Sequence, residues 1–374
     1  MLKRLHVDNF RSLVEFDFEP GQLCLLVGGN GSGKTTVFEV LDLVRRLLVD
    51  GVRISEVFPA SSLTRWRKDP VQRVQLTVED QGIAYDYSLD VEHTLDEGKL
   101  RIVQETLSYG GKPLFRAGID RALLTTFVAR LYRDDHSEGP PLIMDWSRSG
   151  VGLIEPKSEN RKLVRFREIV SRILLARIAP GLMQGRADGE STHPIPDFSN
   201  FAAWYRHESQ EQAEQMRGLF DDLRKVIPGF AKLRLVQFPD NVRDLRVELE
   251  TQSERKEYRL SELSDGQRVL IGLYSLLHCS VAQGGILLLD EPDNFVALAE
   301  LQPWLVAFAD KVRSSGGQAI IASHHPEIID YLACEGALLF VRESGGATAI
   351  RRWSFDTSSG VKASEALARG WEDA

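Results

Sequence analysis

Gly28-Gly29-Asn30-Gly31-Ser32-Gly33-Lys34-Thr35 has the spacing G-x-x-x-x-G-K-[ST], and each residue type in it has a chemical reason. Glycines let backbone N–H groups turn inward around phosphate oxygens. A helix starting near Gly33 adds the positive end of its dipole. Lys34 offers a mobile ammonium to the β and γ phosphates, and the Thr35 hydroxyl is placed to ligate Mg²⁺. Gly28, Asn30, Gly31, Ser32, Gly33, Lys34, Thr35 and Thr36 are therefore the ATP-binding candidates of this loop. Far along the chain, Ile286-Leu287-Leu288-Leu289-Asp290-Glu291-Pro292 sets two acids at the end of an apolar run. In open α/β sheets, ligands bind at that end of a buried strand. Asp290 is the candidate to hold Mg²⁺ through water. Glu291 is the candidate to orient and deprotonate an attacking water.

Two further clusters accompany these. Leu263-Ser264-Asp265-Gly266-Gln267 precedes Val269, Leu270, Leu273, Leu276 and Leu277, which fall at helical spacing. Ser264 is a good N-cap, and a serine hydroxyl with glycine N–H groups at a helix start makes an anion site. Ser264, Gly266 and Gln267 are its candidate contacts. One protein does not need two phosphate-binding helix starts for one nucleotide. Two copies facing head to tail do, each covering the γ-phosphate held by the other. The last cluster is Ser323-His324-His325-Pro326, directly after a buried apolar run at Ala319 to Ala322.

The elements needed to position these residues are legible. Leu2 to Asp8 and Leu13 to Phe18 read as strands. Leu23-Cys24-Leu25-Leu26-Val27 is a continuous apolar run, as in a strand covered on both faces. Lys34 to Val49 carries Val37, Val40, Leu41, Val44 and Leu48 at helical spacing, so the glycine loop lies between strand and helix. Residues from about Val71 to Phe115 alternate as strands do. Ile119 to Tyr132, Asn200 to Val226 and Asp265 to Ala282 read as helices, and Leu233 to Phe238 and Leu245 to Glu250 as strands. Asp134 to Asn160 and Gln184 to Ser199 are rich in Gly, Pro, Ser and charge, and read as loops or a mobile lid.

A chain of 374 residues allows two or three domains or one with a large insertion. With 43% hydrophobic and 27% charged residues it reads as an ordinary soluble globular protein, with no apolar run long enough for a membrane helix. The start of the chain reads as a strand and not as a signal peptide. Cys24, Cys279 and Cys334 show no paired spacing, which points to reduced thiols, a cytoplasmic setting and no structural metal. A net charge of −8 argues against a protein coated in nucleic acid by charge alone.

With these motifs assembled, the chain resembles an ABC-type ATPase of the soluble branch that includes SMC proteins and RecF, in a compact form without a long coiled coil. The resemblance rests on Leu5-His6-Val7-Asp8-Asn9-Phe10-Arg11-Ser12 before the glycine loop and on Leu263 to Gln267, which matches the family signature with Asp265 in place of glycine. It also rests on Asp293-Asn294, which match the D-loop, and on His324, which matches the switch histidine; His325 replaces the more usual serine. It covers roughly residues 1–50 and 255–345. The resemblance implies an α/β P-loop fold: a mixed or parallel core sheet, an N-terminal antiparallel β part and an inserted α/β lid. The parts are an N-terminal lobe over 1–118, a helical or irregular insertion over 119–230 and a C-terminal lobe over 231–374. It implies Asn9 and Arg11 as further ATP contacts, Glu291, His324 and Lys34 as catalytic residues, and Thr35 and Asp290 on Mg²⁺. For the glutamine that couples lid to metal, Gln104 is the candidate, against a plain surface strand residue.

The resemblance further implies an ATP-sandwiched homodimer, working in DNA repair or gating a separate nuclease-like effector in bacterial defence. A transporter energy subunit and a non-hydrolysing ATP-gated scaffold are the alternatives. The wide separation of Lys34 from Ser264 and the Asn9 to Ser12 start argue against the first, and Glu291 against the second. Arg161, Lys162, Arg165, Arg167, Arg172 and Arg177 give the middle a basic character, read as DNA contact, solvated face or partner surface.

Overall fold

The structure is a computed structural model of the chain, and it describes residues 1–94, 99–119, 126–251, 254–342, 345–353 and 360–370. The chain forms two compact units, each assembled from separate stretches. The first comprises Met1–Gly21, Gly28–Ile173 and Leu338–Arg352; the second comprises Gln22–Val27, Leu174–Ala337 and Trp353–Ala374.

The first unit is built on an eight-stranded sheet of β1 (Leu2–Asp8), β2 (Phe16–Phe18), β4 (Val71–Asp80), β5 (Ile83–Thr94), β6 (Lys99–Tyr109), β7 (Lys112–Ile119), β8 (Phe127–Tyr132) and β9 (Glu138–Met144). The order is β2-β1-β4-β5-β6-β7-β8-β9, with antiparallel neighbours throughout. Alternation explains it: Val74, Leu76 and Val78, then Tyr85, Tyr87, Leu89 and Val91, are buried while their neighbours are not. Helix α1 (Lys34–Arg45) continues into a π-helical turn over Arg46–Asp50. The short α2 (Ile54–Val57) and α3 (Gly150–Leu153), the longer α4 (Arg161–Ser171), and the neighbouring strands β17 (Ala337–Arg342) and β18 (Thr348–Trp353) complete the unit.

Three expectations are corrected here. Phe127–Tyr132 is a strand and not part of a helix from Ile119: Phe127 and Ala129 are buried and Arg130 is exposed, a period of two. Residues 120–125 of that expected helix lie outside the described residues. Glu138–Met144, within the stretch read as loop for its Gly, Pro, Ser and charge, is the outermost strand, the place in a sheet where proline is tolerated. The strand expected from Leu13 is only Phe16–Phe18; Asn9, Arg11 and Glu15 have positive φ and bend the chain before it.

Glu105 on β6 is fully buried and accepts hydrogen bonds from the Tyr87 hydroxyl (2.9 Å), the Ser149 hydroxyl and the Gly150 N–H (2.7 Å). Burial pushes its pKa above the usual carboxylate range. Through these bonds the start of α3 is pinned to the sheet.

The second unit contains β3 (Leu23–Val27), β10 (Ile173–Ala176), β15 (Ile286–Asp290) and β16 (Gln318–Ala322), in the order β10-β15-β16-β3. β15 and β16 are parallel, as are β16 and β3. All residues of β3, β15 and β16 are buried, which is why they read as unbroken apolar runs. A second sheet joins β13 (Arg243–Thr251) to β11 (Arg186–Ala187), β12 (Phe230–Gln237) and β14 (Glu254–Arg259). Around these lie α5 (Phe201–Glu211), α6 (Ala213–Val226), α7 (Asp265–Cys279), α8 (Leu298–Ser315), α9 (Pro326–Leu332) and α10 (Ala363–Ala368). Most of α7 from Val269 to Cys279 is buried. The irregular stretch before α5 is anchored: Phe198 is buried against Phe201 and Trp204, and the carbonyls of Pro196 and Asp197 accept from Arg177 and Ala179 N–H. Among the described residues no helix is longer than the 18 residues of α8, and none is long and apolar enough to cross a membrane.

Candidate functional site

In the first unit the glycine loop is walled on one side and open on the other. Gly28 and Gly33 have φ of 135° and 110°. A Cβ on Gly28 would stand 2.2 Å from the Phe340 carbonyl oxygen, and one on Gly33 would stand 2.5 Å from Thr348 Oγ1. No side chain fits at either position. A Cβ on Gly29 or Gly31 would meet nothing within 4 Å, and both are exposed with Asn30. Thr348 ties the wall together: its hydroxyl lies 2.9 Å from both Ser12 Oγ and the Ser32 carbonyl. Lys34 Nζ donates to the carbonyls of Gly28 (2.7 Å) and Gly29 (3.2 Å), which lays the ammonium across the loop. The Ser32 hydroxyl is buried with no hydrogen-bond partner. No side chain caps α1, and its first turn contains no acid. Open backbone, an uncapped helix start and a positive charge beside them fit a polyphosphate.

In the second unit the strand register aligns three exits. Asp290 pairs with Ala322, and Ala322 with Leu26. Three parallel strands therefore end together, β15 leading into Glu291 and β16 into Ser323. Glu291 has a φ of 52°, a left-handed conformation that costs a non-glycine residue about 1–3 kcal/mol and clusters at functional positions. Its N–H is held by the Ala322 carbonyl at 2.8 Å, and its carboxylate by the Asn294 amide at 2.9 Å. Ser323 donates to Asp293 Oδ1 (2.6 Å) and accepts from the His325 N–H (2.9 Å). His325 caps α9, its Nδ1 accepting from the Glu327 N–H, while His324 faces solvent. Asp290 is buried, and Arg177 pairs with it. Among the described residues no three His, Cys, Asp or Glu gather as a metal cage. A hydroxyl and a carboxylate with substrate oxygens are nevertheless the donors that suit Mg²⁺.

The start of α7 is closed by a reciprocal capping box: Ser264 Oγ accepts from the Gln267 N–H (3.3 Å), and Gln267 Oε1 accepts from the Ser264 N–H (3.1 Å). Ser264 is exposed, and its own O–H can still donate. A Cβ on Gly266 would come 2.7 Å from the Phe295 carbonyl oxygen, so this glycine permits the turn after Glu291 to pack on the helix. Asp265 pairs with Arg268.

Other expected residues have different surroundings. Asn9 is fully buried; its amide nitrogen donates to the carbonyls of Asp69 (2.7 Å) and Val71 (3.0 Å), and its oxygen accepts from the Thr64 N–H (3.3 Å). It clamps a loop of the first unit. Arg11 pairs with Glu39 of α1 and remains half-exposed. Gln104 is an exposed strand residue beside buried Glu105. The basic segment is largely engaged internally. Arg165 forks onto Asp80 (2.8 and 3.0 Å), Arg167 donates to the Ile154 carbonyl (2.5 Å), and Lys162 reaches the Asp134 carbonyl (2.6 Å). Arg177, Phe340 and Thr348 were not anticipated as parts of these sites, whereas Asn294 was read with Asp293 as matching the D-loop.

A glycine cradle opening an uncapped helix, and a parallel sheet ending in Asp290-Glu291, define an α/β P-loop ATPase with a compact head of the ABC and SMC type. The SMC head bound to the C-terminal winged-helix domain of ScpA shares this fold, with a TM-score of 0.56 at 13% identity over 96% of this chain and 99% of that one. The SMC head domain from Thermotoga maritima gives 0.48 at 14% identity over 95% and 99%. The chain belongs to the family described as AAA domain, putative AbiEii toxin, Type IV TA system, which matches residues 23–330. Its architecture is that of an ATP-binding and ATP-hydrolysing enzyme. An OLD nuclease from Thermus scotoductus is 54% identical over 44 residues, which are 12% of this chain and 8% of the nuclease, so the chain spans under a tenth of that relative.

Proposed function

We propose that the chain is an ATP-driven switch that pairs with a second copy of itself while ATP is intact and governs a separate effector in defence or repair. The observation that carries this reading is the unequal closure of two helix starts. The start of α1 leaves N–H donors without a side-chain cap, whereas α7 closes part of its start with a capping box and keeps one hydroxyl to offer. A start of the second kind adds a contact to a phosphate held elsewhere and does not hold one alone. In this reading the loop from Gly28 to Thr36 binds the phosphates and Lys34 neutralises charge on them. Glu291 places the water and takes its proton, and His324 senses the γ-phosphate. Thr35 and Asp290 hold Mg²⁺, which when bound neutralises phosphate charge. Ser264, Gly266 and Gln267 face the nucleotide of the partner copy. The family description and the short nuclease match support a role beside a nuclease-like effector acting on DNA.

The test is Glu291→Gln in ATP and Mg²⁺. Phosphate release should fall by about 100-fold or more, while sedimentation shows a stable dimer that wild type forms only transiently. A variant that stays monomeric in ATP and releases phosphate like wild type would overturn the proposal.

A further inference from the structure

β10 ends at Ala176, and the next side chain reaches Asp290. Arg177 Nε and Nη2 lie 2.8 and 2.6 Å from the same oxygen, Oδ2. The Asp290 side chain is 6% exposed and that of Arg177 48%, so a buried carboxylate meets a cation whose stem lies at the surface. Burying a carboxylate is costly without a counter-charge. Both lone pairs of Oδ2 accept arginine donors, and a hard cation binding at that oxygen has to displace one of them.

The segment that carries Arg177 also touches α7. The Pro180 carbonyl accepts from Arg268 Nη1 at 2.5 Å. Ile178 lies over Gly272, where an added Cβ would come 3.0 Å from its Cδ1. The other side of the segment is held by the bonds from Arg177 and Ala179 N–H to the Pro196 and Asp197 carbonyls, 2.7 and 3.1 Å. One short strap therefore connects the acid at the end of β15 to the helix that begins at Ser264.

We propose that Arg177 is a tethered cation that occupies the Asp290 carboxylate until Mg²⁺ replaces it, and that its withdrawal loosens residues 177–182 against α7. The inference rests on the reading of Asp290 as the metal-holding acid. It gives metal loading a direct consequence at the helix offered to the partner copy. It also makes nucleotide without metal a different signal from nucleotide with metal, because only the second displaces the arginine.

The experiment titrates Mg²⁺ into the full chain with a fluorescent, non-hydrolysable ATP analogue and reads the metal midpoint of tight nucleotide binding. Wild type, Arg177→Gln, Arg177→Lys and Asp290→Asn are compared, with hydrogen exchange at 177–182 as a second readout. Arg177→Gln should lower the midpoint about tenfold, the equivalent of roughly 1.4 kcal/mol. Arg177→Lys, which keeps the charge but loses the fork, should fall between and serves if the glutamine variant folds poorly. Asp290→Asn should abolish the metal dependence. In wild type, exchange at 177–182 should rise on adding Mg²⁺ with the analogue, and in Arg177→Gln it should be fast beforehand. An unchanged or raised midpoint in both arginine variants, with Asp290→Asn behaving as expected, sinks this inference alone. A wild-type midpoint in Asp290→Asn sinks the reading of Asp290 and this inference with it.

Discussion

The starts of α1 and α7 look alike in sequence, each a glycine beside a hydroxyl residue before an apolar periodic run, yet they are finished differently. At α1, Gly33 takes a left-handed φ, no side chain caps the helix and no acid enters its first turn. At α7, Ser264 and Gln267 cap each other and Asp265 occupies the first turn. An uncapped start leaves about four N–H groups seeking an acceptor; a capped start has met part of that need and has fewer donors left for an anion. Their glycines differ too. Gly28 and Gly33 have no room for a side chain because strands β17 and β18 wall the loop, while Gly266 has none because a carbonyl of the turn after Glu291 rests on it. In the proposed reading, one start captures an anion and the other completes a site already charged.

The strongest way to break this contrast is Lys34→Ala. Removing the ammonium from the open start should weaken ATP binding about 100-fold, or roughly 2.7 kcal/mol, by calorimetry; wild-type affinity would mean that the first start is not the capturing one. Next comes Gly33→Ala. Its φ of 110° and the 2.5 Å approach to Thr348 Oγ1 predict a loss of about 1–3 kcal/mol in unfolding free energy, read by denaturant titration, with weaker ATP binding alongside. The smallest effect, and the one that sharpens the comparison most, is Ser264→Ala. Loss of the cap should lower stability by about 1 kcal/mol, while ATP affinity measured under dilute, monomeric conditions stays unchanged and ATP-dependent pairing weakens. A drop in monomer affinity would make the two starts equivalent.

How much of this was legible in the sequence follows from how local each feature is. The glycine loop, the β3, β15 and β16 runs and the start of α7 are set by residues within a few positions of one another, and their reading as an SMC-type head is borne out by the fold. Phe127 to Tyr132 misled because Ile119, Leu123 and Phe127 fall four apart in sequence, while the strand itself offers only Phe127 and Ala129 to the interior. Asn9 reads as a polar residue beside a nucleotide loop, but its partners are carbonyls about sixty positions away. Gln104 and Glu105 are adjacent polar residues in an alternating strand, and only the register decides which points inward. Arg177 reads as one charge of a basic run, since its acid lies 113 positions further on.

The wall of the glycine loop also sets an order of events during synthesis. Thr348 contacts Ser32 across 316 positions of chain. At about 5–20 residues per second, a ribosome exposes the loop roughly 15–60 seconds before it delivers that threonine. Through that interval a nascent chain has the glycines and the lysine but not the hydroxyl that braces them. A product cut short before β18 therefore carries the glycine loop without the hydroxyl that ties its wall together.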